Sequence, residues 1–146
     1  MGLMELFNSY DKKKRRNHFR NLFFLARADG EVDRSEMDII IDLAEGFHMS
    51  TQEVTKIIRN PDTVAEVIPK TREERMEQLY DLITVMLVDG QIDEKELFFC
   101  KRMAVRLGWA EEAVNPLVRD MIETSINGTA HDKAVAKLME KYPWPA

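Results

Sequence analysis

A ten-residue motif occurs twice in this chain, the second copy 60 positions after the first. Ala28-Asp29-Gly30-Glu31-Val32-Asp33-Arg34-Ser35-Glu36-Met37 is matched by Val88-Asp89-Gly90-Gln91-Ile92-Asp93-Glu94-Lys95-Glu96-Leu97. Both read Asp-Gly, polar, β-branched, Asp, two variable residues, Glu, apolar. At the same offset Leu43-Ala44 pairs with Met103-Ala104, Phe47 with Leu107, Val54 with Val114, and Ile57-Ile58 with Leu117-Val118. A supersecondary unit used twice leaves this kind of trace, because each copy has to place the same apolar face and the same corner.

The spacing of apolar residues predicts helices throughout, with no useful run at the strand period. Phe19, Leu22, Phe23 and Ala26 form one stripe of a helix over 17–28, widened by Phe24 and Leu25. Met37, Ile40, Ile41 and Ala44 form the next apolar face. Ser50-Thr51-Gln52-Glu53 and Thr71-Arg72-Glu73-Glu74 have capping-box spacing, so each predicts a helix start. The first of these helices ends near Asn60-Pro61, since proline disfavours helical geometry in the residue before it. A short segment over 64–68 follows. The helix from Thr71 runs through Met76, Leu79, Tyr80, Ile83 and Met86 to the second Asp-Gly. Phe98, Met103 and Leu107 belong to the next helix, stopped by Gly108. Val114, Leu117, Val118 and Met121 mark another, broken at Asn127-Gly128, and Ala134, Val135 and Leu138 the last. The expected fold is all-α, a compact bundle of about seven helices from two repeats related by a pseudo-twofold axis, at about 19–59 and 79–122.

With 146 residues, 45% of them hydrophobic, the chain is long enough to bury a core, and one domain over 1–146 is the expectation. A net charge of −5 argues against nucleic-acid binding, which depends on a basic surface. Cys100 is the single cysteine, which excludes an intramolecular disulfide and a cysteine-cluster zinc site and fits a reducing compartment. Met1-Gly2-Leu3-Met4-Glu5 lacks the features of a signal peptide, and no apolar run is long enough to span a bilayer. The expectation is a soluble, cytoplasmic protein.

The doubled motif supports two readings. In the first it is a folding device: Asp-Gly makes a tight corner, Asp33 and Asp93 cap the helices that follow, Glu36 and Glu96 complete the capping boxes, and Val32 and Ile92 are staples. In the second it is a cation site. With Asp29 at the fifth position of an EF-hand loop, Gly30 falls at the sixth, Asp33 at the ninth and Glu36 at the twelfth, and the second copy registers identically. Positions one and three are Leu25 and Arg27, or Val85 and Leu87, so a standard EF-hand is excluded and a partial site remains. Asp29, Asp33, Glu36, Asp89, Asp93 and Glu96 would then form one acidic cluster for Ca²⁺, Mg²⁺ or Mn²⁺, the hard cations that oxygen ligands favour.

These paired corners between apolar helices resemble the TerB-like domain of tellurite-resistance and related bacterial proteins, over roughly Phe19 to Met121. The resemblance implies an all-helical domain with an acidic, metal-binding surface at those six residues and a link to stress response near the membrane, with protein partners there; no catalytic constellation supports an enzyme, so a non-catalytic module is the expectation. Gln91 departs from the pattern, standing where the first copy has Glu31.

Other features carry less. Lys12-Lys13-Lys14-Arg15-Arg16, downstream of Leu3-Met4-Glu5-Leu6-Phe7, reads either as a membrane-surface anchor, as the solvated start of a helix, or as a contact for an acidic partner, a second copy of the chain among them. The resulting 1–16 segment is amphipathic and basic. His131-Asp132 lacks the further aspartate of a phosphohydrolase, and neither a phosphate-binding glycine loop nor a nucleophile elbow is present. Cys100 aligns with Ile40 and is expected to be buried and inert. Exposure of Trp109 or Trp144 would mark a partner site.

Overall fold

Seven helices account for most of the described chain, and four of them begin after a residue whose side chain caps the first turn: Asp33, Ser50, Thr71 and Asp93. The computed structural model describes residues 12–27, 32–59, 69–88 and 90–143, with 12–15 as backbone alone. The helices are α1 (Lys12–Arg27), α2 (Arg34–Gly46), α3 (Thr51–Arg59), α4 (Arg72–Val88), α5 (Glu94–Arg106), α6 (Glu111–Ile126) and α7 (His131–Lys141). No strand occurs among the described residues. The all-α expectation holds; the segment expected over 64–68, the apolar positions 3–7 and Trp144 lie outside the described residues. No described helix is long and apolar enough to cross a membrane.

The residues fall into two compact units, Tyr10–Ile68 and the chain from Pro69 on, with one sequence repeat in each. In the first unit α1 packs on α2, burying Phe19, Leu22 and Phe23 from one helix and Ile40, Leu43 and Ala44 from the other. Phe47, at the end of α2, is also buried, its ring 6.5 Å from that of His18. The predicted box at the start of α3 forms in full: Glu53 N–H donates to Ser50 Oγ at 3.1 Å and Ser50 N–H to Glu53 Oε1 at 3.3 Å. Arg16, the described side chain of the basic run, pairs with the same glutamate at 2.9 Å. That cation therefore has an internal partner on α3.

In the second unit α4 is the central helix, packed on α5, α6 and α7. Every residue from 78 to 87 of α4 is buried. A helix that is buried all round has to be apolar on nearly every side, and Leu79, Leu82, Ile83, Val85, Met86 and Leu87 meet that condition. Each such side chain contributes about 1.5–3 kcal/mol on leaving water. Its start is capped by Thr71, whose Oγ1 accepts from Glu74 N–H at 3.0 Å. Arg75 ties this end to α5: its guanidinium donates to Pro69 O at 2.9 Å and to Leu107 O, just past the end of α5, at 2.7 Å. A cation there also complements the negative end of the helix dipole.

Trp109 is buried, as are Cys100 and Ile40, the aligned pair. Two apolar residues assigned to the core by periodicity lie outside it: Ile41 is 46% and Phe98 63% exposed. The reason is the width of the stripe. In α2 the buried positions are 36, 40, 43 and 44, and in α5 they are 99, 100, 103 and 104, so residue 41 sits about 60° and residue 98 about 100° beyond the edge of its stripe.

Both thirteen-residue helices end in the same way. Phe47 N–H bonds Leu43 O at 2.8 Å and Leu107 N–H bonds Met103 O at 2.9 Å. The next residue then enters the left-handed region, at φ 58° for His48 and 113° for Gly108. Glycine adopts that conformation without a Cβ clash, whereas histidine does so at a cost. His48→Gly is expected to stabilise the protein by about 0.5–1 kcal/mol, and Gly108→Ala to destabilise it by about 1 kcal/mol, as read from urea unfolding midpoints.

Candidate functional site

The two acidic corners are built by their own backbone requirements. The first amides of a helix have no intrahelical acceptor, and a side-chain oxygen just upstream satisfies them best. Asp33 and Asp93 both sit in extended geometry, at φ −72° and −78°, which aims each carboxylate back over the first turn. Asp33 Oδ1 accepts from Glu36 N–H at 2.7 Å, and Asp93 Oδ1 accepts from Glu96 N–H at 2.7 Å. At the second corner the box closes, with Asp93 N–H donating to Glu96 Oε1 at 3.2 Å. Gly90 opens this corner at φ 123°, where no atom stands within 4 Å of a would-be Cβ, so its conformation rather than crowding calls for glycine.

Of the six acids read as cation ligands, Asp33, Glu36, Asp93 and Glu96 are described; Asp29 and Asp89 lie outside the described residues, as does Gly30. Asp33 and Glu36 belong to one compact unit and Asp93 and Glu96 to the other. Within each corner the structure brings the aspartate onto the backbone of the glutamate three residues on. Asp33 and Asp93 are exposed, Glu36 is buried, and Val32 and Ile92 are half-buried.

Further polar contacts lie in the second unit and left no motif in the sequence. Asp81, buried on α4, accepts a 2.8 Å contact at Oδ1 from His131 Nε2 at the first position of α7. The His131 ring also stands 5.9 Å from that of Tyr80. The partner of His131 is thus an aspartate 50 residues upstream, while neighbouring Asp132 is exposed. Beside them Thr84 Oγ1 bonds Tyr80 O at 3.0 Å and pairs with Ser125 Oγ at 3.2 Å, linking α4 to α6. These contacts hold α4, α6 and α7 in register. Burial pushes the Tyr80 hydroxyl's pKa up.

Cys100 has no access to solvent and donates to Met86 Sδ at 3.4 Å. Burial, with the charge of Glu96 second, pushes its thiol far above the ordinary range. A thiol held protonated and out of reach is a poor nucleophile.

An open groove of about 360 Å³ separates α6 from α7, lined by residues of both signs, among them Asp120, Glu123, Lys137 and Lys141. Asp120 Oδ2 takes an ion pair from Lys141 Nζ at 2.8 Å and a hydrogen bond from the Tyr142 hydroxyl. Lys141 first and Tyr142 second hold the Asp120 carboxyl below its ordinary 3.8. These contacts close the end of α7 onto α6.

The described residues thus define a class, all-helical with two aspartate-capped corners. No protein-family model, no curated protein and no solved structure matches the chain.

Two outcomes follow from this geometry. Cys100 should resist a thiol reagent at about pH 8 in the folded protein and react fully once urea unfolds it; fast labelling of the native state would contradict its burial. A carboxyl with a lowered folded pKa adds stability above its unfolded pKa and loses it as pH falls through the folded value. Asp120→Asn should therefore be less stable than the parent near neutral pH, with the gap closing as pH drops below 3.8.

Proposed function

We propose that this chain is a non-catalytic helical interaction module of the TerB-like kind, in which the doubled acidic motif is a pair of helix N-caps that fix the corners of two repeated units. The observation that carries this reading is the identical bond at both corners, Asp33 Oδ1 to Glu36 N–H and Asp93 Oδ1 to Glu96 N–H, each 2.7 Å. A charge-assisted bond of that length accounts for an aspartate at position 33 and again at 93 without any ligand. The companion glutamate has its own use, shown by Glu96 bonding back to the Asp93 amide.

A module of this kind works by presenting rigid helix faces to protein partners, and the resemblance to TerB-like domains suggests a bacterial stress-response assembly near the membrane as the setting. Divalent-cation binding by Asp29, Asp33, Glu36, Asp89, Asp93 and Glu96 is the competing use of the same acids. It requires the capping oxygens to serve a metal as well as the backbone.

Substitution separates the two, because asparagine caps a helix about as well as aspartate but is a poorer cation ligand. The Asp33→Asn/Asp93→Asn protein should stay within a few tenths of a kcal/mol of the parent. Asp33→Ala/Asp93→Ala should lose roughly 2 kcal/mol, about 1 per cap. Melting temperatures of all three should be indifferent to Ca²⁺, Mg²⁺ and Mn²⁺. A cation-dependent rise in the parent that disappears in the asparagine variant would replace the cap reading with the metal one.

A further inference from the structure

The outer faces of α2 and α5 differ in a way their inner faces do not. Across the 60-residue offset the buried side is kept: Ile40 and Cys100, Leu43 and Met103, Ala44 and Ala104 are all buried. On the solvent side the charges invert, with Arg34 matched by Glu94 and Asp42 by Arg102. The exposed face of α2 carries Asp38, Asp42 and Glu45 around Ile41. That of α5 carries half-buried Lys101 and Arg102 between Phe98 and Val105, both exposed. Each set recurs at three- and four-residue steps and so forms one helical face.

Both faces also expose apolar area that a monomer gains nothing by showing. Phe98 is 63% and Val105 41% exposed, and Ile41 on the acidic face is 46% exposed. The Arg102 guanidinium lies 5.9 Å from the Phe98 ring centroid, so an aromatic anchor and a cation share one patch. Phenylalanine flanked by arginine is a composition that interfaces favour.

We propose that the acidic face of α2 docks on the basic face of α5 of a second copy of this chain. The proposal rests on the interaction-module reading and names a partner for it. Laid side by side in parallel at equal levels, Arg34 meets Glu94 and Asp42 meets Arg102, while Ile41 falls between Phe98 and Val105. An antiparallel arrangement would pair Asp38 with Arg102 and Glu45 with Lys95 but set Arg34 against Arg106, so the parallel one is favoured by having no like-charged pair between the two faces. Each copy carries both faces, so the contact is heterologous, the acidic face of one copy meeting the basic face of another. Opposite charges at the rim steer and align the pair, and the apolar residues between them supply the area removed from water.

Sedimentation equilibrium of the full chain, from roughly 1 μM to 1 mM, tests this. Concentration-dependent self-association is expected near 0.05 M salt, weakened in about 1 M salt where screening is strong. Asp42→Arg or Arg102→Asp alone should each weaken it about tenfold or more by setting like charges opposite. An equimolar mixture of the two variants should recover it, because one mixed contact then pairs Asp42 with Arg102 and the other carries both reversals. Phe98→Ser, altering a side chain already largely in solvent, should weaken association at unchanged melting temperature and covers the case in which Arg102→Asp misfolds. A parent chain that stays monomeric throughout overturns the proposal, as does association indifferent to both Asp42→Arg and Phe98→Ser. Either failure leaves the cap experiment on Asp33 and Asp93 unaffected, so the two readings fail separately.

Discussion

The hydrogen bond that the third amide of a helix donates to an aspartate oxygen just upstream organises much of this chain. It occurs at Asp33 and at Asp93, in extended geometry and at the same 2.7 Å length. Without it, the first turns of α2 and α5 would each present one more unsatisfied amide. With it, the helix start is set to the residue. Because α2 and α5 are each thirteen residues long, the start also sets where Phe47 and Leu107 enter the core.

A second constraint operates in the unit from Pro69 on. A helix buried on every side has few polar groups, and those of α4 need partners on its neighbours. Asp81 meets His131 on α7, and Thr84 meets Ser125 on α6. Arg75, near the start of the same helix, reaches Leu107 O at the end of α5. Apolar packing alone would tolerate small shifts of α5, α6 and α7 along α4. The polar contacts are directional and reduce that freedom, so each neighbour of α4 is held by at least one bond of defined geometry.

Much of the fold was legible because its signals are local. Capping residues act within three positions, and Ser50 with Glu53, Thr71 with Glu74 and Asp93 with Glu96 all bond as their spacing predicts. Helix stops act within one or two, and Gly108 and Gly128 both adopt positive φ. Periodicity located the buried stripes but overstated their width, which is why Ile41 and Phe98 were assigned inward and face solvent. The capping part of the candidate site was legible for the same local reason. Contacts across 50, 41 and 22 positions, His131 with Asp81, Thr84 with Ser125 and Tyr142 with Asp120, leave no local pattern. The one available hint was an aspartate and a threonine set among the apolar residues of α4.

Across the 60-residue offset the matched positions of the sequence are not all under the same constraint. Inner positions of α2 and α5 are held to apolar or small residues by the core, whereas outer positions are free to change sign, as Asp42 and Arg102 do. The cap reading requires the corner acids to be committed to the backbone rather than available to a ligand. Amide NMR of the chelator-treated protein, titrated with Ca²⁺ and Mg²⁺ and with Mn²⁺ for paramagnetic broadening, measures that directly at the Glu36 and Glu96 amides. Committed caps predict no saturable shift or broadening confined to the two corners. Saturable changes at those amides, sharing one affinity, would contradict the account and make the corners a cation site.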